Sequence, residues 1–164
     1  MKNICLLLVL GVVSLVGKAQ VRSFKGFHWG GGVSLALPAY NMEEKTFGVG
    51  ADLMATYGIS NHFGFTADAG YTALLTKYNL APTSVIPIRL GMRYFPVSHL
   101  YLGAKAGLGI NTLGNASINY TAYSFGAGYM CWKRLDLGAA YDGYTNSGSS
   151  FGYAAIRIGY VFGK

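Results

Sequence analysis

Eight ionisable side chains and three imidazoles set what chemistry this chain could perform. Asp52, Asp68, Asp136 and Asp142 are carboxylates, and Arg89, Arg93, Lys105 and Arg157 are cations. Paired carboxylates can act as general acid and base, and a hydroxyl within reach of an imidazole can become a nucleophile. The imidazoles are His28, His62 and His99, and Ser34 shares a strand face with His28. Six residues separate those two, about 20 Å along an extended strand at ~3.3 Å per residue, too far for a nucleophile–base pair. The histidines and Cys131 show no close ligand spacing, so no metal site is expected. Glu43-Glu44 alone cannot supply the six or more oxygens that Ca²⁺ takes, and reads as a solvated loop tip. Gly30-Gly31-Gly32 precedes no helix and is not a phosphate loop. The sequence therefore predicts no catalytic residue, no cofactor and no metal. Its eight charges stand four against four, a balance that suits mutual neutralisation.

The elements that must position these charges are eight stretches with a period of two. They are predicted at 26–37, 46–57, 63–73, 85–95, 100–111, 120–130, 135–144 and 151–162. In each, one parity is apolar and the other is rich in glycine and polar residues. In the second, Phe47, Val49, Ala51, Leu53 and Ala55 oppose Gly48, Gly50 and Asp52; in the fifth, Leu102, Ala104, Ala106 and Leu108 oppose Gly103, Lys105 and Gly107. An even number of strands can close into an up-and-down barrel. Pro87 cannot donate to a ladder and belongs near a strand end or a bulge.

All eight charges fall on the weaker face, which we read as the lumen, with the glycines leaving room for long Arg and Lys side chains. Eight strands enclose an interior that side chains can fill, so no open channel is expected. Charges survive there when paired and hydrogen-bonded, whereas Arg or Lys on a lipid face costs ~2–4 kcal/mol at the midplane. The apolar face shows a second pattern. Phe27, Trp29, Tyr57, Phe63, Phe65, Tyr94, Tyr129, Tyr160 and Phe162 gather near one rim, and Phe47, Tyr71, Tyr123 and Tyr141 near the other. Aliphatics and alanines lie between, and aromatic girdles around an aliphatic band are what two membrane interfaces select.

Composition agrees. Charged residues are 12% of the 164, about half the soluble norm of ~25%, and hydrophobic residues are 52%. The sequence is too apolar and aromatic for a disordered chain. Residues 1–19 have the layout of a secretory signal peptide: Lys2, an apolar run over 4–16, then Gly17-Lys18-Ala19. Cleavage after Ala19 leaves 20–164 as the barrel domain. The formal charge of +7 falls by the two lysines of that leader, Lys2 and Lys18, to +5. The remaining basic residues are dispersed and form no stripe, so nucleic acid is not an expected partner. Only Cys131 remains after cleavage, so no internal disulfide forms. It sits beside Trp132 and reads as an interface filler.

These features predict an all-β, eight-stranded antiparallel up-and-down transmembrane β-barrel, with short turns at 58–62, 96–99 and 131–134 and longer loops at 38–45, 75–82, 112–119 and 145–150. Short and long would alternate, with both termini in the periplasm. Three stretches carry a family resemblance. They are Tyr57-Gly58-Ile59-Ser60-Asn61, the run from Ile86 through Arg89-Leu90-Gly91 to Phe95, and Tyr101-Leu102-Gly103-Ala104-Lys105-Ala106-Gly107. The chain resembles the small outer-membrane β-barrel proteins of Gram-negative bacteria over nearly all of its mature length. Its ending, Ile156-Arg157-Ile158-Gly159-Tyr160-Val161-Phe162, resembles the last-strand signal read by the barrel-insertion machinery, although Gly163 and Lys164 follow it. The resemblance implies an outer-membrane protein, a monomer in lipid, with a structural or surface-interaction role. Two other readings stay open: a lipid-modifying barrel enzyme, and a soluble periplasmic barrel that binds a ligand.

Overall fold

A computed structural model describes residues 25–42, 45–76, 83–113, 116–131 and 134–162. The expected leader at 1–19, the Glu43-Glu44 pair, Trp132 and the Gly163-Lys164 end lie outside the described residues. Eight antiparallel strands follow one another around a closed barrel: β1 (Gly26–Tyr40), β2 (Lys45–Gly58), β3 (Phe63–Thr76), β4 (Thr83–Tyr94), β5 (Leu100–Leu113), β6 (Ala116–Cys131), β7 (Leu135–Asn146) and β8 (Ser149–Val161). β8 pairs with β1, so the sheet has no free edge.

The register fixes the shape. Starting at His28, the cross-strand partners run Thr56, Thr66, Gly91, Lys105, Ser124, Asp142 and Tyr153, and return to β1 at Pro38. One circuit therefore shifts the chain by ten residues, from 28 to 38. That stagger tilts the strands and sets how wide the interior is.

Alternation along each strand sorts the side chains by solvent. Leu53, Leu90 and Leu108 are each more than 60% exposed on the outer face, while Asp68, Arg89, Arg93 and Asp136 are buried inside. Burying one leucine gains ~1.5–3 kcal/mol. A surface leaving so many large apolar side chains outward is stable only when its surroundings are apolar too. No described helix is long and apolar enough to cross a membrane.

Two sequence expectations need correction. The strands run further than predicted at the end opposite the termini, and the connections there shrink to 41–44, 77–82, 114–115 and 147–148. The expected alternation of short turns and longer loops is lost, since two of these are two-residue hairpins. Ser, Thr and Asn read as turn formers, yet their backbones continue the ladder, as in the pairs Thr112–Ser117, Thr145–Ser150 and Asn146–Ser149. Pro87 lies mid-strand rather than near a strand end. It faces Gly109 of β5, while the β3–β4 register skips from Ala69–Ile88 to Thr72–Val85. The missing proline N–H is thus met by an interruption of one ladder inside the sheet.

Candidate functional site

The lumen has three layers. At the end opposite the termini, Ala36, Leu74, Val85, Tyr120, Ala122, Tyr144 and Tyr153 pack into an apolar cluster with Met42. At the terminal end Phe95, Tyr101, Met130 and Val161 form a smaller one. Between them lie all four aspartates of the chain and the four predicted cations, divided into two groups that are each electrically neutral.

In the first group Arg89 is the centre. Its Nη2 donates to Asp68 Oδ2 at 2.7 Å, its Nη1 to Asp142 Oδ1 at 2.9 Å, and Lys105 Nζ reaches the same Asp68 oxygen at 3.2 Å. Asp68 and Arg89 are register partners on β3 and β4, whereas Asp142 lies across the lumen on β7. In the second group Arg157 grips Asp52 with two parallel bonds, Nε to Oδ1 at 2.8 Å and Nη2 to Oδ2 at 2.7 Å. Its Nη1 donates to Asp136 Oδ2 at 3.0 Å, which also accepts from Arg93 Nη2 at 3.1 Å. Fork-on-fork pairing of guanidinium and carboxylate is the strong geometry for such bonds.

Tyr101 completes the second group. Its hydroxyl donates to Asp136 Oδ1 at 2.6 Å, and its ring lies 4.0 Å beneath the Arg93 guanidinium carbon. Arg93 Nη2 also approaches Met54 Sδ at 3.2 Å. Asp136, fully buried, thus has partners on both oxygens, as a buried carboxylate requires.

Glycines make the reach possible. Arg157 on β8 meets Asp52 on β2 by crossing β1 at Gly32, where an added Cβ would lie 2.6 Å from the guanidinium. Tyr101 crosses β6 over Gly128, and Lys105 runs past Gly91 of β4, where an added Cβ would fall 2.8 Å from its side chain. Arg157, Tyr101 and Lys105 thus reach beyond the neighbouring strand where that strand carries no side chain.

The sequence had singled out the eight charges but not the lumen tyrosines. Tyr144 and Tyr153 are fully buried and join hydroxyls at 3.0 Å; Tyr144 also stacks on Phe151 with centroids 4.9 Å apart. Parity could have found them: Tyr144 is in phase with Asp136 and Asp142, Tyr101 with Lys105, and Tyr153 with Arg157. A cavity of about 70 Å³ remains, lined by residues including Ser34, Asp52, Asp68, Arg89 and Ser124. Ser34 faces it, while His28 is buried nearer the terminal end; His62 and His99 lie in the turns there. The structure brings none of the three histidines to Ser34.

On the outer face Phe27, Trp29, Tyr57, Phe63, Phe65, Tyr94, Tyr129, Tyr160 and Phe162 are exposed towards the terminal end. Several touch: Trp29–Phe162 at 4.7 Å and Phe63–Tyr94 at 4.9 Å between centroids. Tyr71 and Phe47 are exposed on the other half. Tyr123 and Tyr141 are half-buried, because their rings lie over Gly143 and Gly152, an arrangement in which an aromatic covers backbone that glycine leaves bare. Beyond Tyr123 the outward residues of β6 turn polar: Thr121, Asn119 and Ser117.

No protein-family pattern and no curated protein sequence matches the chain. Solved structures do. The attachment invasion locus protein Ail of Yersinia pestis superposes with a TM-score of 0.63 at 15% identity, covering 85% of this chain and all of that one. Neisserial surface protein A gives 0.59 at 19%, covering 84% and 96%. The N-terminal β-barrel domain of Pseudomonas aeruginosa OprF gives 0.58 at 12%, covering 86% and 100%. With a closed antiparallel eight-strand barrel, an apolar exterior and these neighbours, the chain has the fold of the small outer-membrane β-barrel proteins.

Proposed function

We propose that this chain is an integral outer-membrane protein with a structural or surface-interaction role, a lumen plugged by its own side chains, and no enzymatic activity. The observation that carries the reading is the partition of residue types: the eight charges within the strand interiors are inside and paired, and the outward face is an aliphatic band flanked by aromatics. The two apolar clusters above and below the ion pairs support a closed lumen, because a water path would have to pass Tyr144 and Tyr153 at one end and Phe95 and Met130 at the other. The partner of the outer face is membrane lipid, and the barrel works as a monomer. The leader at 1–19 exports it, the insertion machinery reads β8, and the termini face the periplasm. The aromatic residues at the two ends mark the two interfaces, and the four short hairpins beyond Tyr71, Tyr123 and Tyr141 are the surface offered outside.

The test is a gel of the outer-membrane fraction, boiled and unboiled. A band that runs faster unboiled is expected. Recovery from the periplasm without detergent and with no shift would overturn the membrane reading. Mass spectrometry of lipid A with and without expression should show no change; a new acylation state would replace the non-enzymatic role.

A further inference from the structure

Along the chain the basic residues are scattered, but the topology sorts them. Every aspartate is in the lumen, neutralised by Arg89, Arg93, Lys105 and Arg157. The charges left over belong to the barrel ends. Among the described residues Lys25 and Arg134 fall at the end carrying the termini, with no described acid beside them. Lys45 falls at the other. Two of these three described cations therefore sit at the terminal end.

Two of these cations have a defined setting. Arg134, exposed in the β6–β7 connection, donates from Nη1 to Tyr160 Oη at 3.2 Å, and its carbonyl accepts the Val161 N–H at 2.8 Å. Tyr160 stands beside Phe162 at 5.4 Å, and Phe162 against Trp29 at 4.7 Å. The guanidinium is thereby fixed to the aromatic rim. Lys25 is exposed and in phase with Phe27 and Trp29, so it continues the same outward face one step beyond the rings.

We infer that this end of the barrel is a collar that binds anionic phospholipid headgroups. Arg134 is the phosphate contact, Lys25 adds charge, and Trp29, Tyr160 and Phe162 support the chains beneath. The inference rests on the membrane reading above. Aromatic rings settle at headgroup level, a guanidinium matches phosphate with parallel donors, and cations close to an anionic surface are attracted over about a Debye length. An acidic polymer outside the membrane would meet the cations but not the rings, which favours lipid.

The experiment reconstitutes the mature protein in bilayers of phosphatidylethanolamine and phosphatidylglycerol and measures, by mass spectrometry, the lipid retained after gentle detergent release. Wild type should be enriched in phosphatidylglycerol over the input mixture. Arg134→Gln and Lys25→Gln should each lose roughly fivefold of that preference, with the unboiled gel shift unchanged. No enrichment in wild type, or enrichment that survives both substitutions, overturns the collar. Loss of the gel shift in wild type would instead strike the membrane reading itself. Collar-dependent sedimentation with peptidoglycan sacculi, without lipid enrichment, would assign the cations to the cell-wall polymer and also overturn the proposal.

Discussion

Replacing Arg89 with methionine should destabilise the barrel more than any other single change in the lumen. Methionine keeps most of the length and removes the charge. Asp142 then loses the one ion pair it makes among the described residues, and Asp68 keeps only Lys105 at 3.2 Å. The first charge group passes from neutral to a net −1. Arg89 and Asp68 side chains are 7% and 2% exposed, so bulk solvent does not reach the vacated place, and water in the adjoining cavity can offset only part of the loss. Breaking a buried pair by removing one partner costs about 3–5 kcal/mol, and both aspartates share that loss. Adding Asp142→Asn restores neutrality, leaving Lys105 against Asp68. The double variant should recover about 1–3 kcal/mol of the loss, in the range of coupling between residues in contact. Urea unfolding in lipid vesicles, followed by tryptophan fluorescence and by the gel shift, gives both values. If Arg89→Met stays within about 1 kcal/mol of wild type, or the double variant is no better than the single, then the lumen charges do not act as coupled pairs.

Three further changes probe other layers. Gly32→Val should displace Arg157 from Asp52, because the new Cβ would lie 2.6 Å from the guanidinium; a weaker gel shift is expected, and normal assembly would show that the crossing does not need glycine. Leu90→Arg places a charge on the most exposed part of the outer face and should cost ~2–4 kcal/mol in bilayers, while an unchanged unfolding midpoint would argue that Leu90 does not face lipid. Tyr144→Phe removes the 3.0 Å bond to Tyr153 and should cost about 1 kcal/mol with the barrel intact; no measurable loss would mean that the hydroxyl pair adds nothing to ring packing.

The strand count and the faces were legible because a closed sheet with one face in the lumen and an apolar face outward enforces a strict period of two. A charge one residue out of phase would point to the apolar outer face, so Asp52, Lys105 and Arg157 announce their own orientation. The strand ends were harder to read. Thr112, Ser117, Asn119 and Thr145 have the chemistry of turns, and only tertiary pairing shows them continuing the ladder. Pro87 shows the same limit from the other side: a local rule places it at an end or a bulge, but the closed sheet tolerates two skipped pairs between Ala69–Ile88 and Thr72–Val85. The lumen tyrosines were visible by phase, yet aromatic residues on the glycine face stood out less than charges did.

Partner choice inside the lumen could not be read along the chain, for a geometric reason. Arg89 meets Asp142 three strands away, Arg93 meets Asp136 equally far, and Arg157 skips β1 to reach Asp52. Which residues share a level depends on the ten-residue stagger accumulated around the barrel, a quantity set by all eight registers together. Alternation gives a side chain its face, and stagger gives it its height. The glycines supply the third coordinate, since Gly32 and Gly128 determine over which strand Arg157 and Tyr101 can lean. A one-residue slip of β8 against β1 would turn Arg157 to the outer face, and a two-residue slip would keep it inside but carry it away from Gly32 and from Asp52. The ion pairs therefore act on register as well as on charge: of the ways eight alternating strands could close, they favour the one in which every aspartate finds its cation.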